Sequence, residues 1–498
     1  MKLIKLFLFF FFLQNLYAQF DGFTPKLPIQ STEIYKNSNI YQQDFLYLCE
    51  GLEKFHANVF LNFPKSEFKK EKEKFLKDLA SCKDEKEFGY IANKFTNRIK
   101  DGHTNVKIES SIGKNYTYPF RCKYLVDTLV IMAVSDQLPF SLCGEKIKSI
   151  NNISVKDIEK ITSDIYSTEN YVSLQRIIML SINSTEFLKS IGIISADTER
   201  IMISTFDGKE FEAQPNFEGE WKSEIWEKHP ITEKKSEPFS YKIVNEDSIC
   251  YIQFNEMKDK RIGEMYLNLQ PLWLRWIKKT IRFFGGSAGF SKIYFEDFMN
   301  DCIADIKKNK IKKIIVDLRW DAGGSMSLGD ILLYALGVDK YKSYSSEIND
   351  SELYKLQMKT LDIKNNIAVD SNSYDGIRYT KNTLGTEKIK SRFHGEVYFI
   401  TSEWTFSAAV QLATIVKDNH LFKVIGEPVS ERPSHFGEVL FLKLPNTKAI
   451  CGISSKLFHR PDRSRDNEET LYPDITIYKT YKSIKDGIDP VYNWIVRN

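Results

Sequence analysis

A serine hydroxyl becomes a nucleophile when something exposes it, stabilises its alkoxide and holds a base nearby. Ser407 stands where the strand-like run Val397-Tyr398-Phe399-Ile400-Thr401 breaks and the small-residue helix Ser407-Ala408-Ala409-Val410-Gln411-Leu412-Ala413 begins. The free N–H groups and positive dipole end of a helix N-terminus favour negative charge at such a point. Taken alone, a serine there is usually a plain helix cap. Two further segments change that reading. Ile314-Ile315-Val316-Asp317-Leu318-Arg319-Trp320-Asp321-Ala322-Gly323-Gly324-Ser325 reads as a buried strand ending in a glycine turn that opens a helix. Asp101-Gly102-His103-Thr104 puts a histidine directly after an amphipathic helix. Together the three segments offer a nucleophile, an oxyanion cradle and a base.

The elements that must position them fall into three units. From about residue 31 to 100 the pattern is helical: Phe45, Leu48, Leu52 and Phe55 lead to His56, and Phe88, Ile91, Phe95 and Ile99 recur at intervals of three and four. Asp101-Gly102 then signals a turn. A second unit, 116–238, begins with short strands around Tyr124-Leu125-Val126 and Leu129-Val130-Ile131-Met132-Ala133-Val134. Its run from Gly144 through Ile147, Ile150, Asn151 and Asn152 into the helix Val155–Ile161 resembles the middle of a PDZ domain. The third unit, 239–498, alternates strands with helices, which implies an α/β core. Phe295, Phe298, Met299, Cys302, Ile303 and Ile306 form the buried face of one of those helices.

An insertion at 266–290 interrupts this unit. Within 272–284, Arg275, Lys278, Lys279 and Arg282 share one helical face while the aromatics lie elsewhere, an interfacial-helix pattern. It reads either as a lid over the third unit or as a peripheral membrane or partner contact.

Bulk properties bound the function. Residues 1–18 carry lysines, then a short apolar run, then Ala18, the parts of an export signal. Residues 19–115 then form an N-terminal helical domain that carries the histidine loop. The expected location is outside the cytoplasm, periplasmic or secreted. A net charge of +4 over 498 residues argues against nucleic acid as the main partner. Seven scattered cysteines without a CxxC pair, and no HExxH, argue against a zinc site. No catalytic metal and no cofactor are expected.

"KDGHT" (100–104), "IIVDLRWDAGG" (314–324), "TFSAA" (405–409), "IGE" (425–427), "LP" (444–445) and "YPDI" (472–475) occur in one order. That set resembles the secreted relatives of the tail-specific, C-terminal-processing serine peptidases, closer to their tricorn-type branch. The resemblance implies a ClpP/crotonase-like spiral α/β core, with an N-terminal helical domain and a small PDZ-like β-rich domain. It implies a secreted serine endopeptidase acting on unfolded proteins or peptides, with Ser407 as nucleophile and His103 as base. The processing peptidases place a lysine base where this chain has Arg432, which cannot accept a proton; His435 is a reserve candidate. Backbone N–H groups of Gly324 (or Gly323) and Ala408 match the family's oxyanion hole. The family's orienting acid falls among Asp466, Glu468 and Glu469, with register favouring Glu468. The tricorn pattern has a serine before the histidine, where this chain has Gly102. Two other readings stay open: a catalytically inactive peptide-binding protein on the same fold, and an acyl hydrolase of small esters.

Overall fold

The computed structural model describes residues 23–107, 116–196, 199–215, 223–224, 237–268, 291–365 and 376–498. The export signal and the basic aromatic stretch 272–284 lie outside those residues. A six-stranded sheet runs in the order Ile475–Thr476, Lys423–Gly426, Glu396–Thr401, Lys313–Asp317, Ile249–Phe254 and Phe239–Val244. The last pair is antiparallel and every other pairing is parallel. Near-continuous apolar runs are what a parallel sheet covered on both faces requires. Alternate residues feed two layers accordingly. Cys250, Ile252, Ile314, Val316 and Phe399 pack with helices Phe295–Lys308, Met326–Ala335 and Ala408–Asp418. Tyr251, Ile315, Tyr398 and Ile400 face the C-terminal helix Pro490–Arg497. Cys302 is fully buried in the first layer, as its helical face predicts.

The register sets Asp317 opposite Ile400, and Thr401 opposite Gly426. The loops that follow these strands therefore leave the sheet side by side at its carboxyl end. That is where open α/β sheets bind ligands.

The N-terminal helices Ile40–Phe55, Lys65–Asp78 and Glu85–Thr96 are joined by an aromatic cluster of Phe45, Phe63, Phe68, Phe75 and Phe95. They do not close this core by themselves. Leu440, Leu442, Leu444, Cys451 and Ile453, from the late hairpin His435–Lys443 and Ile450–His459, complete it. The strand Asn105–Lys107 pairs antiparallel with the same hairpin, which pins the segment just after His103.

Among its described residues, the middle unit holds two small sheets and three α-helices. Asn151 and Asn152, both at positive φ, turn Ile147–Ile150 into Ile153–Ser154. Asparagine tolerates that left-handed conformation better than most residues. Ser154 then caps the helix Val155–Ile165 through Asp157 N–H. Helices Tyr171–Ser181 and Thr185–Ser190 follow; they are not among the elements expected from sequence.

Candidate active site

Loop 402–406 carries Ser407 away from its strand and is tied to the neighbouring loop at three points. Ser402 Oγ donates to Arg319 O at 2.8 Å, Thr405 Oγ1 to Leu318 O at 2.9 Å, and Phe406 N to Asp321 O at 3.0 Å. Ser407 itself has φ 56° and ψ −128°, a region that L-residues occupy only when their surroundings force it. It stands at the N-cap of Ala408–Asp418, yet its side chain makes no capping hydrogen bond. The hydroxyl is thus not used as a helix cap.

Gly323 and Gly324 lie beside it with φ of 91° and 142°. A Cβ on Gly323 would stand 2.8 Å from Ala408 N, and one on Gly324 would stand 2.4 Å from Met257 O. Only glycine fits such a turn. Asp321 Oδ1 accepts from Gly323 N, and Met257 N donates to Gly323 O, which fixes the turn from both sides. Among the described residues, the N–H groups of Gly324 and Ala408 have no acceptor. For Ala408 this follows from its place as the first helical residue. Two free donors therefore lie next to the serine, the arrangement an oxyanion hole needs.

His103 sits in a loop anchored by Asp101. Asp101 Oδ1 accepts from His103 N–H at 2.8 Å, and Oδ2 accepts from the hydroxyl of Thr104. The buried His56 takes Asn58 N–H on Nδ1 and donates from Nε2 to Asp101 Oδ2 at 3.1 Å. Burial alone would raise the Asp101 pKa, but the His56 bond and the nearby histidines hold it well below the usual carboxylate range. Burial keeps the His103 pKa below its ordinary value, against the pull of Asp101, so the ring is neutral near pH 7.

Phe406 stacks on the His103 ring at 5.1 Å, which brings the histidine beside the residue preceding Ser407. His103 Nδ1 faces two carboxylates, Glu431 Oε1 at 3.5 Å and Glu169 Oε1 at 4.0 Å. The second oxygen of Glu431 accepts the backbone N–H of Ser407 at 2.6 Å. One fully buried carboxylate thus spans Ser407 and His103. Burial, and then the charge of Glu169, push the Glu431 pKa well above the usual range. Among the described residues no hydrogen bond joins Ser407 Oγ to the His103 ring; such bonds commonly tighten only when substrate is bound.

Glu468 does not face His103. Its Oε2 takes Arg460 Nη1 at 2.7 Å and its Oε1 takes Arg465, within an ion network that includes the buried Asp418. Asp466 accepts from Ser434 and Arg463, and Glu469 lies 3.5 Å from Arg432. The acid turn expected to orient the histidine is therefore bound to arginines instead, and Glu431 occupies the position against the ring.

Arg432 donates from its N–H and Nε to Glu169. His435, the reserve base, has both ring nitrogens engaged: Nδ1 donates to the Arg432 and Pro433 carbonyls, and Nε2 accepts from Gln411. Burial pushes its pKa down to about 4.

Glu431, Glu169, Asp101 and His56 are the residues that sequence reasoning missed. The "VSER" stretch holding Glu431 carries no local signal, because its meaning comes from what packs against it. Asp101, His103 and Glu169 each bring a ligand-type atom within 4.8 Å of one another. The oxygens of Asp101 and Glu169 are already taken by N–H and O–H donors, so the set reads as a hydrogen-bond network.

Residues 249–477 match peptidase family S41. The chain carries an S41 peptidase domain and is a serine-type peptidase. This sets it with the tail-specific, C-terminal-processing-like enzymes that its ordered motifs resemble. No curated protein matches it in sequence.

Among solved structures, mature CPAF is similar over 94% of this chain and 96% of its own, at 12% identity and a TM-score of 0.61. Mature CPAF complexed with lactacystin matches over 94% and 98%, at 12% identity and 0.59. The photosystem II D1 C-terminal processing protease matches over 88% and 93%, at 10% identity and 0.41. At such identities the CPAF likeness speaks for the fold: a mixed α/β S41 peptidase architecture across nearly the whole chain. The S41 match itself begins only at 249, so His103 and Glu169 lie outside it.

Proposed function

We propose that this S41 peptidase is a secreted serine endopeptidase that cleaves unfolded proteins or peptides through an acyl-enzyme. Ser407 is the nucleophile, His103 the general base, and Glu431 the acid that orients the ring. The observation that carries this reading is the Glu431 carboxylate, which accepts Ser407 N–H at 2.6 Å and faces His103 Nδ1 at 3.5 Å.

With Nδ1–H directed at Glu431, the ring's Nε2 takes the Ser407 proton as Oγ attacks the scissile carbonyl, exchanging the ring's contact with the Phe436 backbone for the serine. The N–H groups of Gly324 and Ala408 receive the developing oxyanion. His103 then returns the proton to the leaving amine, and water repeats the sequence to release the acyl group. Arg432, permanently protonated and held by Glu169, cannot replace the histidine. The signal-like segment at 1–18 supports export, and a cleaved signal peptide would be seen as a mature N-terminus near residue 19.

The test is hydrolysis of casein by the mature protein beside Ser407→Ala and His103→Ala. Activity is expected to vanish in both variants with circular dichroism unchanged. Turnover persisting in His103→Ala would remove the histidine from the mechanism. An inactive wild type that still bound peptides would favour a non-catalytic binder, a reading motivated by the missing Ser407 Oγ–His103 bond.

A further inference from the structure

We propose that Glu169, supplied by the middle unit, is a positioning residue that holds the His103 loop and the Glu431 loop at their working separation. The inference rests on the Ser407–His103–Glu431 reading and extends it to a residue outside the S41 match.

The connection between helices Val155–Ile165 and Tyr171–Ser181 is buried at Thr168, Glu169 and Asn170, unusual for a link between helices. Ser167, Glu169 and Asn170 tie it to the two site loops. Ser167 Oγ donates to Asp101 O at 2.6 Å. Glu169 Oε1 accepts Gly102 N–H at 2.9 Å, and its Oε2 accepts Arg432 N–H at 3.2 Å. Arg432 Nε returns a bond to Glu169 O at 3.0 Å, while Asn170 Nδ2 donates to Val429 O and Glu469 O.

Gly102 immediately precedes His103, and Arg432 immediately follows Glu431. One rigid carboxylate therefore sets the distance between base and orienting acid. Gly102 makes room for it: a Cβ there would lie 3.1 Å from Glu169 Oε1. At 4.0 Å from His103 Nδ1, Glu169 is too far to take the ring proton, so it acts through the two loops.

Asp101 and His103 face Glu169 from one loop, Glu431 and Arg432 from the other, and Arg176 reaches Ser430 from the following helix. After burial, the Glu169 charge is the largest influence raising the Glu431 pKa. Removing that charge lets Glu431 ionise at lower pH, which a purely structural residue would not do.

The experiment compares full-length wild type, Glu169→Ala, Glu169→Gln and Ser407→Ala on labelled casein across pH, with melting curves alongside. Glu169→Ala is expected to lower kcat by roughly 10- to 100-fold, the scale of a misplaced catalytic group, with KM within about twofold. Glu169→Gln, which keeps one acceptor oxygen, should recover part of that loss and move the acid limb of kcat/KM to lower pH. Wild-type kcat in Glu169→Ala would overturn the proposal. So would losses in both variants that follow melting temperature while the pH limb stays in place. If Ser407→Ala retained activity, the underlying serine reading would fail; if it were dead while Glu169→Ala was fully active, only the positioning role would be lost.

Discussion

Protonation of Glu431 decides which nitrogen of His103 is available. When protonated, Glu431 presents an O–H to Nδ1, and the ring keeps its own hydrogen on Nε2, where it cannot act as a base. When ionised, it accepts from Nδ1–H and leaves Nε2 without a hydrogen, able to act as a base. Since burial and Glu169 raise the Glu431 pKa while burial lowers that of His103, the carboxyl group limits the acid side of the profile. The kcat/KM of the wild type should therefore rise with pH through a group titrating above the ordinary glutamate range. Glu431→Gln is expected to lower kcat by about 10²- to 10⁴-fold, the scale of an acid-to-amide change that fixes the wrong tautomer. Glu468→Ala should spare kcat and cost about 1–3 kcal/mol of stability, because it leaves the buried Arg460 one partner short. A kinetic defect in Glu468→Ala with normal turnover in Glu431→Gln would reverse the two assignments.

The same raised carboxyls fix a sign for stability. Glu169 and Glu431 hold protons more tightly folded than unfolded, so their contribution weakens as pH rises from the ordinary glutamate range through the folded values. Melting temperature should fall between about pH 5 and 8, and Glu431→Gln should flatten that fall. A wild-type melting curve that rises over this window, with no difference in the variant, would contradict the buried-pair reading.

At the scale of elements, the site is three loops leaving three different supports. The Gly323–Gly324 turn and the Ser407 elbow were legible because apolar runs mark the strands before them and the register follows from successive neighbours in one sheet. The His103 loop was legible as a turn after a helix of the right period. Glu431 and Glu169 were not, because no periodicity announces which loop residue will point inward once distant elements meet. Register favoured Glu468, but the bulky, fully buried Arg460 draws that acid into its own network. The glycine turn yields a direct test. Gly324→Ala places a Cβ 2.4 Å from a backbone oxygen at φ 142°, so the turn must shift and its N–H must move with it. The variant should lose more than about 1 kcal/mol of stability and at least tenfold in kcat, by roughly the weight of one oxyanion donor. Thermal denaturation and initial rates would check both together. Wild-type kcat in a folded Gly324→Ala would remove this N–H from the oxyanion site.

At the scale of the molecule, the proposed machinery is distributed along the chain: the proposed base at 103, a carboxylate at 169, and the proposed nucleophile and acid between 407 and 431. The S41 match covers only the last of these. Division into helical, middle and α/β units is convenient in sequence, but the N-terminal helices share their core with Leu440, Leu442, Leu444, Cys451 and Ile453 of the late hairpin. Each large apolar side chain buried there contributes roughly 1.5–3 kcal/mol. Together they amount to on the order of 10 kcal/mol, comparable with the whole net stability of a domain. Residues 239–498 expressed alone should therefore be insoluble or bind ANS strongly, even though they contain the entire S41 match. Supplying residues 19–238 during refolding should restore solubility and, with His103 back beside Glu431, hydrolysis. A 239–498 fragment that folded cooperatively by itself would mean that the shared core is an interface between independent domains; one that also cleaved casein would dispense with the histidine.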